Sequence, residues 1–174
     1  MMAISLYEGS VSTYLQTLDA VNGYLDKGLA HFHAHGMEPQ EIVETRLFPD
    51  MHPFRFQVQS AVFHSLGAVE AIRSGVLGMP PPKPPLDYAG LQALVVETRD
   101  ALRKIAPEEI NCCEGAGVVF QVRDNRRVFT AEGFLLSFSL PNFHFHATTA
   151  YNILRSKGVP VGKLDYVGAL RLKG

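Results

Sequence analysis

The chain has 174 residues, 47% of them hydrophobic and 19% charged, which suits one domain with a continuous core and excludes a disordered protein or one that depends on disulfide staples. A formal charge of -1 with scattered Lys and Arg excludes the basic stripe that nucleic acid selects. No apolar run approaches the ~20 residues that cross a bilayer, and the opening MMAISLYEGS lacks a basic stretch followed by an apolar one, so a soluble, cytoplasmic protein without nucleic-acid or membrane partners is expected.

Apolar positions then set out the elements in chain order. Over residues 6–35 they recur at Val11, Leu15, Leu18, Val21, Leu25, Leu29 and Phe32, steps of three and four that place them on one face of a long helix. Gly36 is a natural stop. A second helix is expected from Pro53, whose missing N–H is no loss in a first turn, with Phe54, Val58, Ala61, Val62, Val69 and Ile72 on its core side. The proline-rich run from Met79 to Pro85 must be an extended crossover. Asp87 then caps a third helix carrying Tyr88, Leu91, Val95, Thr98, Leu102 and Ile105, and Pro107 follows its end.

Between the third and fourth helices the period changes. Val118 to Val122 and Arg127 to Thr130 are β-rich runs about the turn-forming tetrapeptide Arg123-Asp-Asn-Arg126, which predicts a short hairpin. Helical spacing returns over 134–157, with Phe143, Ala147, Ala150, Tyr151 and Leu154 on one face and Gly158 as the stop. Pro141 either starts this helix or kinks it. The tail from Val159 to Gly168 is too rich in Gly and Pro for a long element.

Chemistry is sought first among the seven histidines. His31 and His35 share a face in the last turn of the first helix, where cations suit the helix C-terminus better than they suggest a metal. His144 and His146 lie on opposite sides of the fourth helix, so only one of them faces inward. His146 falls on a stripe with Asn142, Thr149 and Ile153, beside the apolar face, where a bundle places a core site. His64 shares a stripe with Gln57 and Ala61 on the second helix. The adjacent Cys112 and Cys113 match neither a zinc knuckle nor a CxxC redox spacing and read as small residues in a connection.

Two blocks carry a family likeness. Arg46-Leu-Phe-Pro-Asp-Met-His-Pro53 with Gln57 and Gln59, and Leu140-Pro-Asn-Phe-His-Phe-His146 running through Leu154-Arg155 to Gly158-Val-Pro160, resemble the domain-of-unknown-function 1993 family, grouped with the DinB/YfiT-like metalloenzymes. The resemblance spans nearly the whole chain and implies a single domain over 1–174, an all-α, DinB/YfiT-like four-helix bundle of up-down-down-up topology, and a homodimer. Together with the hairpin between the third and fourth helices, that is the expected fold.

Many members of the superfamily hold a divalent metal with three histidines, and some are thiol-dependent transferases. Aligned on Leu154-Arg155, the resemblance puts His146 on the second ligand of the fourth helix and Asn142 on the first, with His64 as the candidate of the second helix. Asn142 breaks that triad, because a catalytic zinc is usually held by three nitrogen, sulfur or carboxylate ligands. The expected site is a pocket at one end of the bundle. His64 and His146 are its candidate ligands for zinc or nickel, and Asp50, Gln57 and Asn142 line it for a small polar ligand. The bland alternative has His146 and Asn142 satisfying each other inside a core. Two classes of function follow: a metal-dependent hydrolase or thiol transferase, and a non-catalytic binding protein that kept the fold. The second is favoured by Asn142. No Walker loop, serine elbow, dinucleotide turn or HExxH is present, and the sequence leaves open whether the chain is an enzyme.

Overall fold

Four long helical stretches carry the apolar faces described above, and a computed structural model covering residues 4–79 and 85–173 shows how they meet. Most of the proline crossover lies outside the described residues. A π turn, Glu8–Ser12, leads into α1 (Thr13–Ala34), and Gly36 reverses the chain at φ +63°. A short α2 (Pro39–Val43) and the 46–53 turn precede α3 (Phe54–Val62), which passes through a second π turn, Phe63–Gly67, into α4 (Ala68–Ser74). β1 (Val76–Leu77) follows, then α5 (Tyr88–Arg103) and α6 (Pro107–Asn111). Asp87 caps α5 as expected, its carboxylate accepting from the Gly90 amide at 2.7 Å.

The expected hairpin is one part of a small three-stranded sheet of order β1-β2-β3, formed with β2 (Gly117–Val122) and β3 (Asn125–Thr130). Its turn is tighter than the tetrapeptide suggested. Arg123 takes a left-handed φ of 52°, so pairing already begins at Val122 with Asn125. β1 joins in parallel, Val76 beside Val119 and Leu77 beside Phe120. Two residues carry no alternation, so this strand had no sequence signal. The fold is therefore mostly helical with a small sheet rather than purely α.

The last long stretch begins at α7 (Ala131–Phe134), earlier than expected because Thr130 caps it onto the Gly133 amide at 3.1 Å. It runs through a third π turn, Leu135–Ser139, into α8 (Leu140–Ser156), and the short α9 (Lys163–Val167) lies in the Gly- and Pro-rich tail. Pro141 neither opens nor ends the stretch; it sits just after the π turn, where the helical ladder is already altered. Each π turn contains a fully buried serine whose hydroxyl takes up a carbonyl. Ser10 donates to Leu6 O, Ser65 to Val62 O and Ser139 to His64 O.

α1 packs on α5 and α8, and α3 packs on the same two helices. Where α1 meets α5 the Tyr88 side chain lies against Gly28, and a Cβ there would come within 2.5 Å of its hydroxyl. That hydroxyl instead donates to Leu25 O at 2.8 Å, and Tyr24 donates to Ala147 O at 3.1 Å. Phe143 meets Tyr14 edge-on at 5.0 Å, and Phe54 stacks on Tyr88 at 6.0 Å. Among the described residues no helix is long and apolar enough to cross a membrane.

Candidate functional site

A cavity of about 720 Å³ opens between α3, the 63–67 π turn and the start of α8. Phe56, Phe63 and Leu66 form one wall, Leu94 of α5 another, and Phe120 of β2 packs on Phe138 at 4.6 Å to close the sheet side. The polar lining comprises His64, His146, Asn142, Gln59, Ser60 and Glu70. Two π turns create this opening. In the first, the consecutive His64 and Ser65 are both buried. In the second, Ser139 donates to the His64 carbonyl at 2.6 Å and so must accept from the buried Tyr14 hydroxyl at 2.5 Å, which ties the two turns together.

The tautomer of His146 follows from its neighbours. Gln57, buried in α3, donates its amide nitrogen to His52 O at 2.9 Å, so its Oε1 is left to accept. His146 Nδ1 lies 2.8 Å from that oxygen and therefore carries the proton, leaving the Nε2 lone pair free. Burial, with the charge of His52 adding to it, lowers the pKa of this imidazole to about 4. His64 is parallel to it at 5.7 Å and is likewise lowered to about 4, by burial first and by His146 second. Both rings are neutral at pH 7. His64 Nδ1 is buried and has no hydrogen-bond partner among the described residues.

Asn142 also lines the cavity, but it does not bond to His146. Its amide nitrogen donates to Phe138 O at 2.7 Å in the π turn, which frees Oδ1. The bland alternative, in which these two side chains satisfy each other, is thereby corrected. Gln57 lies behind His146 rather than on the cavity wall, and Asp50 is exposed in the 46–53 turn, away from the lining. His144, on the other side of α8, pairs with the Tyr166 hydroxyl at 3.1 Å.

Two imidazoles facing one cavity raise the question of a metal. Among the described residues no group of three or more His, Cys, Asp or Glu side chains could hold one ion. The third donor at hand is the neutral Asn142 oxygen, so the set falls one strong ligand short of a catalytic zinc site. Elsewhere, His31 and His35 stack at 4.1 Å at the end of α1, and the free Cys112 and Cys113 sulfurs lie 3.9 Å apart after α6.

Residues 6–167 match the family described as Domain of unknown function (DUF1993). The chain belongs to this family. Among solved structures it is similar to the crystal structure of a DinB family member protein from Shewanella denitrificans, with a TM-score of 0.84 and 26% identity over 97% of this chain and 95% of that one. No curated protein matches the sequence. The structural likeness places this DUF1993 chain on a DinB-like fold, as the two sequence blocks implied.

Sequence reasoning missed most of the cavity wall in this DUF1993 chain. Phe63, Phe120, Phe138 and Leu94 come from four different elements, and Glu70 stands among them. The one local signal was the serine placed inside each helical pattern at a π turn, which marks where a helical ladder is disturbed.

Proposed function

We propose that the protein binds a small, largely apolar molecule in the cavity beside His64 and His146. The observation that carries this reading is the cavity itself, about 720 Å³, walled by Phe56, Phe63, Phe120 and Phe138 with His64, His146 and Asn142 as its polar end. His146 and Asn142 complete the polar end of the site, Gln57 orients His146, and Asp50 contributes only through the turn that carries the His52 carbonyl.

The same reading takes the four long stretches as an up-down-down-up bundle in one domain, and the protein as a cytoplasmic homodimer, as the family likeness implies. A light-scattering mass near that of one chain would remove the dimer.

The test uses the neutral dye N-phenyl-1-naphthylamine, whose fluorescence rises in apolar sites. One saturable site is expected, abolished in Ser60→Trp, which fills the cavity, while that variant keeps its thermal unfolding midpoint. No saturable signal in the parent protein would sink the reading.

A second reading, a metal-dependent hydrolase or thiol-dependent transferase using His64 and His146, draws support from the Gln57 bond to His146 Nδ1, an outer-shell contact typical of metal-bound imidazoles. It requires about one equivalent of zinc or nickel on untagged protein, lost in His146→Ala. The incomplete donor set leads us to expect only background metal in both.

A further inference from the structure

The polar atoms that face the cavity differ in what they offer a ligand, and the difference defines a chemical class. The roles of two are fixed by their other bonds. His146 commits its Nδ1 proton to Gln57, so Nε2 accepts. Asn142 gives one of its two amide N–H groups to Phe138 O, which fixes the orientation of the amide and leaves Oδ1 free to accept. Gln59, Ser60 and the second Asn142 N–H can donate to a carboxylate or phosphate, but no Lys or Arg among the described lining residues offsets its charge, and the His146 Nε2 and Asn142 Oδ1 acceptors would stay unpaired. A phenol or an amine brings the donors they lack.

Charge points the same way. Among the described lining residues there is no Lys or Arg, and Glu70, further along the same helical stretch, is the single acidic side chain. Arg127, which pairs with Phe120 across the sheet, is exposed and does not line the cavity. The walls themselves are aromatic at Phe56, Phe63, Phe120 and Phe138, which suits a ring and, through their faces, a cation.

We infer that the cavity selects aromatic molecules whose polar groups donate hydrogen bonds and carry no negative charge, phenols and arylalkylamines, and rejects aromatic carboxylates. This rests on the cavity being a ligand site, and it adds the specificity. The polar end of the ligand meets His146 Nε2 and Asn142 Oδ1, and an ammonium group, where present, reaches toward Glu70.

Four probes of one size separate the possibilities by isothermal titration with the full chain: 4-methylphenol, tyramine, 4-methylanisole and 4-hydroxyphenylacetate. The phenol should bind about three- to tenfold more tightly than its methyl ether, which has lost the donor. Tyramine should bind about two- to fivefold more weakly in Glu70→Gln, an exposed position that leaves folding intact. The carboxylate should bind at least about tenfold more weakly than tyramine.

Equal or tighter binding of 4-hydroxyphenylacetate overturns the inference, and its loss in Arg127→Gln would assign the anion to that side chain. Equal affinity for the phenol and its ether also overturns it. If none of the four binds while the naphthylamine dye still does, the cavity remains a ligand site and the assigned class is wrong. If the dye fails as well, the site itself is withdrawn.

Discussion

The two halves of the interior treat polar groups differently. Around α1 and α5 each buried tyrosine hydroxyl is bonded: Tyr14 to Ser139, Tyr24 to Ala147 O and Tyr88 to Leu25 O. Packing there is close enough that a Cβ at position 28 would displace the Tyr88 hydroxyl. Around the two π turns beside α3 and α8, a cavity of about 720 Å³ remains, and His64 Nδ1 has no partner among the described residues. In the first region the tyrosine hydroxyls hold helices together, and in the second, one imidazole nitrogen stays without a hydrogen bond near open space. The burial that lowers both imidazole pKa values to about 4 also keeps the cavity end uncharged at pH 7.

The largest effect should come from the tight half. Phe143, fully buried against Tyr14, replaced by Ala should cost about 3–5 kcal/mol in urea unfolding, because the space cannot collapse. A loss below about 1 kcal/mol would show that the tight half is as loose as the other.

Acid should act on the cavity half. His64 and His146 titrate near 4 when folded and near 6.5 when unfolded. Between those values the unfolded chain binds more protons than the folded one. Their contribution is thus complete above about pH 6.5 and is lost as pH falls towards 4. Unfolding midpoints measured from pH 7.5 to 4.5 should fall, and the double variant His64→Leu/His146→Leu should flatten that slope. An unchanged slope would mean that other groups drive the acid response.

Tyr88→Phe should cost about 1–2 kcal/mol, since it leaves Leu25 O without its buried donor. His64→Leu is the matching change in the other half. It removes a nitrogen that bonds to nothing, so stability at pH 7 should change by less than about 1 kcal/mol. Should His64→Leu cost more than Tyr88→Phe, the contrast between the halves fails. The smallest effect belongs to Lys27→Ala, which breaks an exposed pair with Asp165 at 2.5 Å and should cost about 0.5 kcal/mol or less.

The site was legible only in part. His146, Asn142, Gln57 and His64 could be named because each lies on a helical stripe, and stripes are local. Asp50 belongs to a turn, and turn residues have no period that says which way they point. It stands exposed. The aromatic wall was illegible because Phe120 and Phe138 are far from α3 in sequence and meet it only through the sheet and the third π turn.

By itself, the sequence determined the approximate course of the long helices, since caps and punctuation such as Asp87, Pro53, Gly36 and Gly158 act within a few residues of themselves. It also determined the family, through two blocks of residues. Tertiary structure alone decided the rest: that β1 would find β2 in parallel, that helical ladders would yield at three buried serines, and that His64 would be left without a partner. Those outcomes depend on which surfaces meet, and hydrogen-bond partners distant in sequence become available only after the helices have packed.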